Sequence, residues 1–374
     1  MNGVETDVHF MKQALRLAAK GRGTTSPNPM VGAILVKNGR IVGKGYHRRA
    51  GAPHAEILAL QQAGSRSHGA TLYVTLEPCS HTGKRTPPCV PAIITARPRR
   101  VVVALRDPNP HVNGQGIRRL RQTGLTVDIG CLQEEAKHLN EAYVHWVKTG
   151  RPFVILKAAM TLDGKIATAS GESKWITGAK ARLHVHRLRS QVDAIMVGIG
   201  TVLKDDPQLT ARLPEKDRLT ALRQPVRIVL DSRLRIPLSA HLLEHLKKCP
   251  TIIATTREAP KRKIEKLRTR GAGIFLLPKQ GGHVSLQACL QRLGQMGVTS
   301  VLVEGGSEVN ASLLQGGFVN RVVLFVAPTL LGGREAKGLV GGHSPKHLVE
   351  RLAVSDVKIQ RVGEDFLITG NLSP

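Results

Sequence analysis

Aromatic side chains are scarce in this 374-residue chain: two Trp, three Tyr and six Phe make up 3% of it. Proteins that hold single-stranded nucleic acid stack its bases on such rings, so that class is poorly supplied here. Acidic residues are also short, with 27 Asp and Glu against 55 Lys and Arg, which leaves a net charge of +28. No apolar run approaches the roughly 18 residues that a membrane helix requires. Five cysteines in so long a chain do not suggest a disulfide framework. The segment Met1–Phe10 carries Glu5 and Asp7 and no apolar core, so it does not read as a secretory signal, and a cytoplasmic protein is expected.

The positive charge is spread rather than focused. Residues 1–148 hold 21 Lys and Arg against 9 Asp and Glu, and residues 149–374 hold 34 against 18. A nucleic-acid arm would concentrate the bases in one place. The densest run, Arg257 to Arg270, contains Glu258 and Glu265 and reads as one solvated helix. Length predicts two or three domains, and the 41% hydrophobic content suits an ordinary globular protein.

Apolar spacing predicts an amphipathic helix over Asp7–Lys20, then a hairpin of Val31–Val36 and Ile41–Tyr46 turning at Asn38-Gly39. A helix over Ala55–Ala63, a strand over Ala70–Thr75, a helix after Pro78, a strand over Arg100–Ala104 and a helical stretch over Glu134–Lys148 follow. Gly150 and Pro152 interrupt the pattern, and the domain boundary is placed there, between residues 1–148 and 152–374. Strands are then expected at Phe153–Ala159, Ala194–Val197, Val226–Leu230, Thr251–Thr255, Gly273–Leu277, Ser300–Val303 and Val322–Val326. Helices over Gly178–Ser190, Ala259–Arg270 and Val284–Met296 separate several of them, so both halves read as α/β.

Three ligand-type groups stand out in the first half: His54-Ala55-Glu56, Glu77-Pro78-Cys79 and Cys89. One imidazole and two thiolates leave a fourth zinc position open, as a catalytic zinc needs. Water bound there becomes hydroxide near neutral pH, and Glu56, unneeded as a ligand, is left to carry protons. His54 and Glu56 lie about 200° apart on a helix and share a site only if it faces the helix start. Pro53 and Pro78 suit such starts, and a helix N-terminus would depress the Cys79 thiol pKa. Taken alone, a His or Cys is most often a core or surface residue, and a cysteine pair also suits a redox couple or a structural zinc site; against these stands the conjunction of His-x-Glu, Pro-Cys and a second Cys in the order that zinc deaminases use. Cys131, Cys249 and Cys289 have no comparable context.

The stretch Pro78-Cys79-Ser80-His81-Thr82-Gly83-Lys84-Arg85-Thr86-Pro87-Pro88-Cys89 resembles the signature of the bifunctional riboflavin-biosynthesis deaminase-reductases. Thr25 to Ala33 and Gly51 to Glu56 resemble that family as well, and Lys84-Arg85 holds a one-residue insertion relative to its usual loop. In the second half, Lys157 to Lys165, Ser173 to Thr177, His186 to Ser190, Asp193 to Val202, Asp205 to Arg212 and Glu304-Gly305-Gly306 are similar to its reductase domain. The resemblance runs from about Asp7 to Gly370 and implies a cytidine-deaminase-like three-layer domain followed by a dihydrofolate-reductase-like α/β domain. It implies zinc on His54, Cys79 and Cys89, with Glu56 catalytic. It assigns NADPH to Ala159, Trp175, Thr201, Asp205, Ser232 and the loop Gly305, Gly306, Ser307, Glu308, Val309, Asn310 and Ala311. It gives a phosphoribosylaminopyrimidine substrate to Ser173, Arg189, Leu209, Arg212 and Glu304. Lys157, Asp205 and Glu304 are the candidates for positioning or proton movement in the reduction.

Elementary chemistry supports parts of this. A Gly-rich turn entering a helix, as at Glu304-Gly305-Gly306-Ser307, offers free N–H groups to a pyrophosphate. Arg189 and Arg212 suit a phosphate, which a guanidinium grips in bidentate fashion. From its charge and its position after Ser232, Arg233 is a candidate for the 2′-phosphate of the cofactor. Gly198-Ile199-Gly200 is not a Rossmann fingerprint, because Leu203 occupies the third glycine position. The competing reading is a nucleic-acid (tRNA) editing deaminase with an appended nucleotide-binding domain, which would favour a short Cys-x-x-Cys spacing and a focused basic groove. A non-catalytic zinc and nucleotide protein would have no use for Glu56. The reading calls for neither nucleic acid nor membrane as partner, and is compatible with a homo-oligomer.

Overall fold

A computed structural model describes residues 3–82, 86–215 and 223–372. The insertion at Lys84-Arg85 therefore lies outside the described residues. The chain divides into two compact units, Met1–Gly150 and Arg151–Pro374. No helix among the described residues is long and apolar enough to cross a membrane.

The first unit runs α1 (Gly3–Ala18), β1 (Gly32–Lys37), β2 (Arg40–Tyr46), α2 (Ala55–Ala63), β3 (Thr71–Leu76), α3 (Cys89–Ala96), β4 (Arg100–Leu105), α4 (Gln115–Gln122), β5 (Thr126–Ile129), α5 (Gln133–Leu139) and α6 (Glu141–Thr149). Its sheet has the order β2-β1-β3-β4-β5, antiparallel around β1 and parallel from β3 to β5. The hairpin turns at Asn38 and Gly39, both at positive φ, which the Asn-Gly pair tolerates. Alternate strand residues face opposite layers. Ala33, Leu35, Leu72 and Val74 pack on α2, α3 and α4, while Ile34, Val36, Tyr73 and Val102 pack on α1 and α5. This is a three-layer α/β/α unit.

Two expectations change here. The helix expected after Pro78 begins only at Cys89, with Pro88 at its N-cap, so Cys79 sits in a loop and gains no helix dipole. Pro87 and Pro88 supply no N–H and bias the preceding residues away from helix. The stretch Glu134–Lys148 is two helices that meet at Asn140, which is 2% exposed. Its side chain accepts from the Met30 N–H at 2.8 Å and donates to the Met30 carbonyl at 2.9 Å. That pairing ties the break to the loop ahead of β1.

The second unit runs β6 (Phe153–Thr161), β7 (Lys165–Ala167), α7 (Ala179–Gln191), β8 (Ala194–Gly198), α8 (Ile199–Asp205), β9 (Val226–Leu230), β10 (Thr251–Thr256), α9 (Lys261–Thr269), β11 (Gly273–Leu277), β12 (Lys279–Gln280) and β13 (His283–Val284). It continues through α10 (Leu286–Gln295), β14 (Ser300–Val303), α11 (Ser307–Gln315), β15 (Arg321–Ala327), β16 (Lys337–Gly338), β17 (Val354–Val362) and β18 (Asp365–Leu372). The main sheet is β11-β10-β9-β8-β14-β6-β15-β18-β17, parallel as far as β15 and closed by an antiparallel edge hairpin. Helices α10 and α11 cover one face, and α7, α8 and α9 the other. The basic run expected as a solvated helix is α9, which buries only Ile264 and Leu267.

Candidate active sites

In the first unit, α2 lies hard against β2. A Cβ on Gly43 would strike the Ala59 carbonyl and one on Gly45 the Ala55 carbonyl, while Ala55, Ala59 and Ala63 present the small face of the helix. This seats His54 at the N-cap of α2 and Glu56 in its first turn. Cys89 opens α3, and Cys79 lies three residues beyond β3. The ligand atoms of His54, Cys79 and Cys89 all lie within 4.8 Å of one another.

His54 Nδ1 is 3.2 Å from Cys89 Sγ and 3.5 Å from Cys79 Sγ. With zinc–sulfur at about 2.3 Å and zinc–nitrogen at about 2.0–2.1 Å, a tetrahedral ion would hold N and S about 3.6 Å apart, so this donor set fits zinc. Nδ1 is thus the ligand face of the ring. Nε2 lies 3.0 Å from Thr86 Oγ1, and donating there fixes the tautomer. The Cys89 backbone N–H donates to Cys79 Sγ at 3.4 Å, which favours a thiolate. Glu56 is 3% exposed, and burial, reinforced by the charge of Cys79, raises its carboxyl pKa.

Glu77 belongs to the same motif but does other work. Its Oε2 accepts from the N–H groups of Asp107 (3.3 Å) and Gly114 (2.9 Å), and its Oε1 from those of Gly116 (3.0 Å) and Ile117 (3.3 Å). The carboxylate pins the start of α4 behind Pro78-Cys79, where a side chain at 116 would strike the Pro78 carbonyl. Sequence reasoning left Glu77 without a role and missed Thr86. It also missed a polar pair beside the site, the buried His47, whose Nε2 is 3.1 Å from Nδ2 of the half-buried Asn28. Both members sit in or next to the quoted motifs, which was the available signal.

In the second unit the predicted residues gather at the carboxyl ends of neighbouring parallel strands, where open α/β sheets bind ligands. Thr201 and Asp205 lie on α8 directly after β8, Ser232 just beyond β9, and Glu304 to Gly306 just beyond β14. Lys157 and Ala159 are on β6, whose register sets Leu156 opposite Val303 and so brings Lys157 beside Glu304. Lys157 Nζ is 3.6 Å from Glu304 Oε2. Burial lowers the Lys157 pKa. Burial alone would raise the Glu304 carboxyl, but Arg189 and Lys157 outweigh it and hold it at about 2.

The Arg189 fork is closed on this carboxylate, with Nε to Oε1 at 2.6 Å and Nη2 to Oε2 at 2.9 Å. The bidentate grip expected on phosphate is made on Glu304 instead. Arg212 is exposed, and its Nη1 donates to Gln208 Oε1 at 2.8 Å and to Thr210 Oγ1 at 3.1 Å. Leu209 is buried at positive φ. Ser173 and the exposed Trp175 lie between β7 and α7, and the Arg182 guanidinium is 4.6 Å from the centroid of the Trp175 ring.

Gly306 caps α11 without any side-chain cap, and a Cβ there would meet nothing within 4 Å. Gly305 is packed on Val309, which a Cβ would approach to 2.9 Å. Asn310 is fully buried, and its Oδ1 has no hydrogen-bond partner among the described residues. An open glycine cradle at a helix start fits a nucleotide pyrophosphate. Ser307, Glu308 and Ala311 follow in the first turns of the same helix.

A His/Cys/Cys deaminase-type metal centre is thus joined in one chain to a reductase-type α/β sheet with a nucleotide cradle. The profile described as "Cytidine and deoxycytidylate deaminase zinc-binding region" matches residues 4–105, and that described as "RibD C-terminal domain" matches residues 152–368. The riboflavin biosynthesis protein RibD of Aquifex aeolicus is 46% identical over 97% of this chain and 98% of its own, and that of Escherichia coli is 43% identical over 97% and 98%. Among solved structures, Acinetobacter baumannii RibD has a TM-score of 0.90 at 38% identity, covering 99% of this chain and 100% of its own. A Thermotoga maritima protein described as a diaminohydroxyphosphoribosylaminopyrimidine deaminase/5-amino-6-(5-phosphoribosylamino)uracil reductase has a TM-score of 0.85 at 38% identity, covering 99% of each. The chain belongs to the RibD family of riboflavin-biosynthesis proteins. It is a bifunctional deaminase and reductase of riboflavin biosynthesis, and the editing-deaminase alternative is not favoured.

Proposed function

We propose that the first unit hydrolytically deaminates 2,5-diamino-6-(5-phosphoribosylamino)pyrimidin-4(3H)-one, and that the second reduces the ribosyl group of the product to ribityl with NADPH. The observation that carries the first half is the set of close donors, His54 Nδ1, Cys79 Sγ and Cys89 Sγ, with the buried Glu56 carboxyl against them and not needed as a ligand. Zinc held there would supply a water acidified to near neutrality. Glu56 moves a proton from the attacking water to the amino nitrogen, which leaves as ammonia. Thr86 keeps the His54 ring oriented, and Glu77 anchors the loop that carries Cys79.

For the reductase half, the loop Gly305 to Ala311, with Ala159, Trp175, Thr201, Asp205 and Ser232, is assigned to NADPH, and Arg233 to its 2′-phosphate. NADPH held there would supply the hydride. Arg189 holds Glu304 in one orientation, and Glu304 with Lys157 positions the ribosyl chain and manages its protons. Ser173, Leu209 and Arg212 bind the substrate, with Arg212 on its phosphate. Neither nucleic acid nor a membrane enters this reading.

The test is an assay of the purified protein with the diaminopyrimidine phosphate, following ammonia and NADPH together. Ammonia should appear without NADPH, and NADPH should be consumed only after deamination. No ammonia from the zinc-loaded protein would overturn the assignment.

A further inference from the structure

Arg227 lies within β9, opposite Ile195 of β8 and Thr251 of β10, and is 2% exposed. Ile228 and Val229 beside it are fully buried. Among the described residues no carboxylate forms an ion pair with it; burial lowers its pKa, and Cys249 and then Glu244 only partly oppose that. A buried guanidinium without a close counter-charge is costly, and an apolar side chain would fill a sheet interior more cheaply. What Arg227 provides is a gathering point for backbone carbonyls. Its Nη1 donates to Gln208 O at 3.3 Å, and its Nη2 donates to Glu244 O at 3.2 Å and to Cys249 O.

Gln208 is the informative partner. Its backbone carbonyl is held by Arg227 while its side-chain Oε1 accepts from Arg212 Nη1 at 2.8 Å. The same loop is gripped further on. The Ala211 N–H donates to Gln224 Oε1 at 2.8 Å, Gln224 Nε2 donates to Ala211 O at 2.9 Å, and the Arg212 N–H donates to His186 Nδ1 at 3.2 Å.

We propose that Arg227 is a positioning residue for the reductase substrate, fixing the Gln208 backbone so that the Gln208 amide aims Arg212 at the substrate phosphate. The proposal rests on the assignment of Arg212 to that phosphate. It links a buried cation in the sheet to an exposed guanidinium through one loop residue.

The experiment is steady-state reductase kinetics of the full chain with the deaminated phosphoribosyl substrate and with its dephosphorylated form. Gln208→Ala and Arg227→Met are compared with Arg212→Ala. Gln208→Ala should raise KM for the phosphorylated substrate about tenfold, the loss of one charge-assisted hydrogen bond. It should leave kcat, the KM for NADPH and the dephosphorylated substrate unchanged, and add nothing on top of Arg212→Ala. Arg227→Met should act in the same direction with the same selectivity. Equal losses with both substrates would mark a merely structural role and overturn the proposal, as would an unchanged KM. Should Arg227→Met not fold, Arg227→Lys decides: it keeps the buried charge but not the fork that reaches the Gln208 carbonyl, and it should show the same phosphate-selective rise in KM. If Arg212→Ala itself shows no phosphate selectivity, the phosphate assignment is what fails. Selectivity in Arg212→Ala alone refutes only the positioning role.

Discussion

Replacing Glu77 by Gln tests whether this carboxylate is an anchor rather than part of the chemistry. The side chain is 3% exposed and its two oxygens accept four backbone N–H groups at 2.9–3.3 Å. Glutamine keeps the shape but turns one oxygen into an NH2 group, so two of the four N–H donors face another donor in a buried site. Two of these bonds are long and weak. Losing one good and one long bond to a charged acceptor, and leaving both donors unmet, costs about 4 kcal/mol. That is a large share of the roughly 5–15 kcal/mol that holds a domain together. With a urea slope of about 2 kcal/mol per molar, the unfolding midpoint of the first unit should fall by about 2 M. The chain has two tryptophans, Trp146 in the first unit and Trp175 in the second, so Trp146 fluorescence in a Trp175→Phe background reports on that unit alone. A midpoint within about 0.5 M of the parent would refute the anchoring argument.

Other consequences follow from the two sites. Glu304 titrates at about 2 in the folded chain, below the usual carboxyl value of 4.5, so its ionised form stabilises the fold above 4.5 and that contribution fades as pH falls toward 2. The amount is up to about 3 kcal/mol; thermal midpoints of the parent should drop more steeply across that window than those of Glu304→Gln, and parallel curves would contradict the shift. Arg212→Ala should raise the reductase KM about tenfold for the phosphorylated substrate and little for its dephosphorylated form. Metal analysis should find about one zinc per chain. Chelation should abolish ammonia release while the reductase still works on preformed deaminated substrate; loss of both activities would mean the units do not act independently.

Much of the deaminase centre was legible in the sequence because its chemistry is carried by residue types at short spacing. His54 and Glu56 share the start of one helix, and Asn38-Gly39 specifies its own turn. What escaped depends on contacts between distant segments. The break at Asn140 answers to Met30, 110 residues earlier, and helical periodicity through Glu134–Lys148 carries no trace of it. The helix expected at Pro78 starts at Cys89 because two prolines, not one, govern the local backbone. Arg189 looks like a phosphate ligand from its charge alone, and only the fold shows its fork closed on Glu304, 115 residues away. Arg227 falls inside the strand expected over Val226–Leu230, and only the fold shows that its guanidinium is buried there. The net charge of +28 remains a property of the surface as a whole, since the sites use only a few of the 55 bases.

In the proposed function one chain carries two separable chemistries, with Glu56 moving protons in the first. Glu56→Gln keeps the size of the side chain and removes its proton traffic. Ammonia release from the diaminopyrimidine phosphate should fall at least about 100-fold, while bound zinc and reduction of preformed deaminated substrate stay at parent levels. Ammonia release near the parent rate, or loss of both activities together, would contradict the account.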